Sequence, residues 1–134
     1  MLALAGCSNS VTGPEAALTA AKQRWAHHAP ASYSMVIARS CECVPQASQA
    51  VVLTVRNGIV ESRRYVATGA SVDPQYAADF PTVPEMFALI QNAANNRIRP
   101  MNIQYAPLGY PTLISIGDPA VDAPVIFISD FHAL

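Results

Sequence analysis

Hydrophobic and polar positions along this 134-residue chain change period several times, and each change marks an element. From Pro14, Leu18, Ala21 and Trp25 recur at steps of three and four, which predicts a helix with one core-facing stripe. Good helix formers fill the positions between (Ala16, Ala17, Ala20, Lys22, Gln23), and Pro30 stops the run. The period then becomes two. Tyr33, Met35 and Ile37 fall on one face of a strand predicted from Tyr33 to Cys41. Val44-Pro45-Gln46 predicts the turn that follows.

The strongest local signal is Val51 to Arg56, then Asn57-Gly58, then Ile59 to Val66. Asn-Gly accepts positive φ at both central positions, so the two runs read as a hairpin on a two-residue type I′ turn. That register sets Val55 opposite Val60 and Leu53 opposite Ser62 on the buried face, with Thr54 opposite Glu61 on the other. Gly69 to Phe80 reads as an irregular surface loop. Thr82-Val83-Pro84-Glu85 is a capping box opening a helix whose apolar face is Met86, Phe87, Leu89, Ile90 and Ala93, ending at Asn95-Asn96. Pro84 fits there, because first-turn N–H groups have no helical partner.

Met101 to Tyr105 and Thr112 to Ile116 read as strands joined by Ala106 to Pro111, and Val125 to Phe131 as a last strand. The predicted fold is α+β: a single antiparallel sheet of five to six strands with two helices packed on one face, in the order α-β-β-β-α-β-β-β. No internal repeat at solenoid periods interrupts it.

Composition narrows the function classes. Hydrophobic residues make up 51% of the chain and charged residues 13%, enough apolar matter for a core and unlike a disordered segment. The formal net charge is −1 without a basic block, so nucleic acid is not an expected partner. The longest apolar run, Ala123 to Ile128, is interrupted by Pro124 and is far short of the ~20 residues a spanning helix needs.

Leu4-Ala5-Gly6-Cys7-Ser8 reads as a bacterial lipobox, with Cys7 as the lipidated residue. Residues 1–7 are then a signal and lipobox, 8–13 a tether, and 14–134 one globular domain. Met1 to Gly6 is shorter than an apolar signal core of ~7–15 residues and lacks a basic leader, so this reading implies a truncated signal. The expected partner is a membrane, reached through acyl chains on Cys7. Ser8 favours the periplasmic face of the outer membrane, or the outer face of the cell membrane where there is only one.

Export would place Cys41 and Cys43 where disulfides persist. Residues two apart in an extended strand share a side, with Cα atoms about 6.5–7 Å apart, so a bridge requires some bending. Three readings follow. A structural bridge pins the bend into Pro45, and it is preferred because no base or helix N-terminus is evident to activate a thiol. The alternatives are a redox-active pair, or thiolates joined by His27, His28 or His132 around a metal. Cys-x-Cys is tighter than usual zinc spacing, and His27-His28 at a helix end complements its macrodipole, so no metal is expected.

Several segments together resemble a known family. Trp25, Tyr33-Ser34, Arg39-Ser40-Cys41-Glu42-Cys43, Val55 to Val60, Thr82 to Phe87 and Gly109-Tyr110-Pro111-Thr112 occur in an order similar to domain-of-unknown-function family 6174, a group of bacterial lipoproteins. The resemblance covers roughly Trp25 to Asp130 and implies an exported, often lipid-anchored, small α+β domain of unknown function. The family often has an acidic residue after the tyrosine, and Ile-Asp where this chain has Ile116-Gly117-Asp118. Ala106 follows Tyr105 here, so no carboxylate role carries over.

Hydrolase and nucleotide-binding signatures are missing: no Gly-x-Ser-x-Gly, no His-Glu-x-x-His and no phosphate-cradling glycine loop. Asp118, Asp122 and Asp130 read as turn residues. Arg39, Arg63 and Arg64 read as solvated strand positions in preference to an anion patch. Tyr105, Tyr110 and Pro111 form either a binding surface or a packed turn holding the last hairpin. The expected function is a non-enzymatic, cofactor-free binding or accessory module of the cell envelope, meeting an envelope protein or small ligand. A thiol–disulfide accessory role for Cys41 and Cys43 is the alternative.

Overall fold

Pro14 opens the first helix, α1 (Pro14–His28), where its missing N–H costs nothing, and the Ala29 amide closes it on the Trp25 carbonyl. The computed structural model describes residues 13–118 and 123–134; the expected signal, Cys7 and tether positions up to residue 12 lie outside them, as does Asp122. Leu18 and Ala21 are buried on α1 and Trp25 is partly so, which is the stripe their spacing predicts.

Strand β1 (Tyr33–Ser40) alternates as expected, with Tyr33, Met35 and Ile37 buried. It ends one residue before Cys41, because the chain bends at the cysteines. The expected turn at Val44-Pro45-Gln46 is instead a single helical turn, α2 (Pro45–Ser48), with Pro45 at its first position. Strands β2 (Val51–Arg56) and β3 (Ile59–Tyr65) form the hairpin, and Asn57 and Gly58 take φ of 51° and 78° as a type I′ turn requires. Val55 opposes Val60 as expected. Beyond that pair Glu61 is an extra residue, a bulge, so Thr54 faces Ser62 and Leu53 faces Arg63. The expected pairings of Leu53 with Ser62 and Thr54 with Glu61 are therefore shifted by one.

The segment expected to be an irregular surface loop is more structured. Ser71 bridges Arg64, a 3₁₀ segment runs from Pro74 to Asp79, and Phe80 is fully buried. Helix α3 (Val83–Asn95) starts on the capping box: Thr82 Oγ1 accepts from the Glu85 amide at 3.3 Å, and the Glu85 carboxylate accepts from the Thr82 amide at 2.8 Å. Such a cap contributes about 1 kcal/mol. Tyr33 Oη accepts from the Val83 amide, which pins the helix start to β1. Leu89 departs from the expected stripe: it is 40% exposed, while Val83 and Ala94 are buried in addition to Met86, Phe87, Ile90 and Ala93.

Strands β4 (Met101–Tyr105), β5 (Pro111–Ile116) and β6 (Val125–Ala133) complete one six-stranded antiparallel sheet in the order β3-β2-β1-β6-β5-β4. It consists of two three-stranded meanders, one on each side of α3 in the chain, that join where β1 pairs β6. Asp130, at φ 51°, lies in a bulge of that seam. Core positions of β1, β2, β5 and β6 lie under α1 and α3, and Lys22 on α1 bonds Gln91 on α3 at 2.9 Å. No described helix is long and apolar enough to cross a membrane.

Candidate functional site

Cys41 and Cys43 stand at disulfide-bonding distance, half-buried, with Cα atoms 5.3 Å apart. That separation falls inside the range a bridge requires, because the chain bends after Ser40 and is not extended. Arg39 lies beside them. The alternation that buries Tyr33, Met35 and Ile37 puts residue 39 on the same face, and its side chain is only 9% exposed. Arg39 Nη1 donates to the Ala47 carbonyl at 2.6 Å and lies 3.9 Å from Cys43 Sγ. Nη2 is 3.7 Å from Asp79 Oδ1, and Nε is buried with no partner among the described residues. The expectation of a solvated strand position does not hold for this arginine. A cation does stand next to the cysteine pair.

The other two arginines are also engaged. Arg63 Nε donates to the Phe80 carbonyl at 2.7 Å and its Nη2 is 3.5 Å from Glu85. Arg64 Nη1 donates to the Gly69 carbonyl and Ser71 Oγ. Alternation sends Arg63 and Arg64 to opposite faces of β3. His27 and His28 are exposed at the end of α1, and His132 Nδ1 lies 3.0 Å from the Asp130 carbonyl. Among the described residues no group of three His, Cys, Asp or Glu side chains could hold a metal ion.

Tyr105, Tyr110 and Pro111 come together in a turn packed on α1. The Ala106 and Tyr110 backbones bond at 2.9 Å, and Arg24 Nε donates to the Pro107 carbonyl at 3.1 Å. A Cβ at Gly109 would overlap the Ala21 carbonyl oxygen and come within 2.8 Å of the Trp25 nitrogen, so only glycine lets the turn approach this closely. Tyr110 stacks on Phe131 with centroids 4.1 Å apart, Phe131 stacks on Tyr33 at 5.2 Å, and Trp25 meets all three rings edge-on. Pro111 is fully buried, and Ala106 is 7% exposed. The packed-turn alternative therefore describes Pro111 and much of Tyr110.

Tyr105 Oη is buried and finds no hydrogen-bond partner among the described residues. Burial pushes its pKa up to about 12, against a smaller opposing pull from the Arg24 charge. The folded chain thus keeps this proton after the unfolded chain has lost it, and stability falls as pH rises from 10 to about 12. Tyr105→Phe is expected to raise stability at pH 8 by about 1 kcal/mol, by removing an unpaired polar group. It should also reduce the alkaline loss. Urea unfolding at pH 8 and pH 11 measures both.

The sheet face opposite the helices carries the alternate positions. Val52, Val36, Ala38, Phe127 and Leu113 run across β2, β1, β6 and β5 as neighbouring partners in the register. Phe127, near the middle, is 45% exposed. Serines 34, 40, 62, 115 and 129, with Thr54, Asn102 and Gln104, surround the stripe, and Arg56 and Arg64 lie at the β3 side.

A single antiparallel sheet backed by helices on one face, with a tight cysteine pair at the end of a central strand, defines a small α+β domain. The chain belongs to the family of unknown function DUF6174, whose model matches residues 17–133. That span includes the cysteine pair and the Gly109-Tyr110-Pro111-Thr112 turn. No curated protein and no solved structure matches the chain.

Proposed function

We propose that this chain is a non-enzymatic binding or accessory module of the cell envelope, anchored by lipid on Cys7 and docking a partner on the open face of its sheet. The supporting observation is the apolar stripe centred on Phe127, which is 45% exposed. A large aromatic inside an apolar centre, with a rim mostly of serine, threonine and side-chain amides, has the make-up of a protein interface. The lipobox at Cys7 supports the anchor, and the Tyr105–Pro111 turn would brace the sheet from the other side.

Phe127→Lys is the test. Cross-linking in whole envelopes should recover a partner with the wild-type chain and lose it with this variant. A control, Leu89→Lys, changes a residue 40% exposed on α3, on the helix side of the sheet, and should keep the partner. Equal recovery with both variants overturns the docking face. In the full precursor, Cys7→Ala should move the protein from the membrane to the soluble fraction; continued membrane partitioning overturns the anchor.

A second reading, a thiol–disulfide accessory role, is favoured by one observation: the Arg39 guanidinium against Cys43 Sγ.

A further inference from the structure

We propose that the Cys41–Cys43 bridge exchanges with protein dithiols in a fixed direction, Cys41 being the sulfur attacked and Cys43 the leaving thiolate held by Arg39. The inference rests on the thiol–disulfide reading and adds to it the order of bond breaking, the residue that sets it and the class of substrate.

The two sulfurs differ in their surroundings. Arg39 Nη1 lies 3.9 Å from Cys43 Sγ, and its side chain is 9% exposed, so its charge acts with little screening from water. Among the described residues, three charged groups are placed near the pair. Arg39 reaches it from β1, Asp79 sits 3.7 Å from Arg39 in the 3₁₀ segment, and Glu42 is exposed on the bend itself. Asp79 is 35% exposed and only partly offsets the guanidinium. A neighbouring arginine favours the thiolate over the thiol. In exchange, the sulfur that leaves is the one better stabilised as an anion.

The steps balance. A substrate thiolate attacks Cys41 Sγ, forming a mixed disulfide as the Cys41–Cys43 bond breaks, and its electron pair leaves on Cys43 as a thiolate beside Arg39. The substrate's second thiol gives its proton to water and attacks the first substrate sulfur. Cys41 leaves as a thiolate and takes up a proton. The substrate dithiol is oxidised to a disulfide, the pair is reduced to one thiol and one thiolate, and one proton is released. Stabilising the reduced form makes the pair an oxidant. The substrate is a protein carrying two neighbouring thiols, as chains newly delivered to an oxidising compartment do.

The test uses the full chain with Cys7→Ser, so that only the pair reports. The oxidised protein is mixed with dithiothreitol, and the reduced protein is alkylated with iodoacetamide at pH 6.5 and mapped by mass spectrometry. Reduction within minutes under mild dithiothreitol is expected, with Cys43 alkylated roughly ten times faster than Cys41. Arg39→Met should abolish that preference and Arg39→Lys retain most of it. Asp79→Asn, at a side chain 35% exposed, should widen it by freeing the guanidinium. A bridge that resists dithiothreitol in the folded protein overturns the thiol–disulfide reading as a whole. Ready exchange with equal alkylation of both cysteines, unchanged by Asp79→Asn, overturns only the assigned direction.

Discussion

Gly109→Ala is expected to lower the midpoint of thermal unfolding by about 10 °C, corresponding to roughly 3 kcal/mol. Two costs add. At φ 110° a residue with a Cβ is strained, by about 1–2 kcal/mol. The new methyl also meets the Ala21 carbonyl and the Trp25 amide, which are helix backbone and cannot swing aside. The turn must lift from α1, loosening the stack of Tyr110 on Phe131, where each ring pair contributes about 0.5–1.5 kcal/mol. Gly58→Ala is the matched control: its φ is 78°, but nothing lies within 4 Å of an added Cβ. It should carry the backbone strain alone. Equal losses for the two variants would mean that the turn does not depend on its contact with α1.

Phe80→Ala should cost about 3–5 kcal/mol in urea unfolding, the largest effect expected from a side-chain truncation here. Phe80 is completely buried and meets Tyr65 edge-on at 6.5 Å, so truncation leaves a cavity between the 3₁₀ segment and the sheet. Its carbonyl continues to accept from Arg63, so the backbone there is held and cannot collapse inward. Phe80→Leu keeps most of the volume and should cost less than about 1.5 kcal/mol. Leu89→Ala, at a site 40% exposed, should cost about 1 kcal/mol. If Phe80→Ala were no worse than Leu89→Ala, the 3₁₀ segment would not be part of the core.

These two residues mark what the sequence could and could not convey. Elements with a local cause were legible: Asn57-Gly58 dictates its turn, Thr82 and Glu85 cap their helix, and Tyr33, Met35 and Ile37 repeat at a strand's period. Phe80 has no such pattern. It follows a stretch with no strand or helix period, and only the fold brings Tyr65 and the sheet to it. The Glu61 bulge likewise has no composition of its own and arises in the pairing of β2 with β3. Leu89 misled in the other direction, since a helix one face wide is satisfied by Met86, Phe87, Ile90 and Ala93 without it.

The cysteine pair was legible as a pair, and its neighbour was not taken up. Extending the alternation of Tyr33, Met35 and Ile37 by one step puts Arg39 on the buried face, two residues before Cys41. An arginine there must find partners inside, and it does so at Ala47, Asp79 and Cys43. The tyrosine turn was legible as a unit but not as packed or open. That outcome depended on α1 lying beneath Gly109, a contact between segments far apart in the chain.

The seam between β1 and β6 sets an order of events during synthesis. The centre of the sheet is built from the first strand and the last, and the Leu134 amide closes it on the Ser32 carbonyl at 3.0 Å. Until β6 is present, each meander has an unpaired edge where the middle of the sheet should be, and the two halves of the core cannot meet. A nascent chain therefore cannot close the centre of this sheet until β6 has been made. The two halves of the core acquire their shared structure only when that last strand arrives.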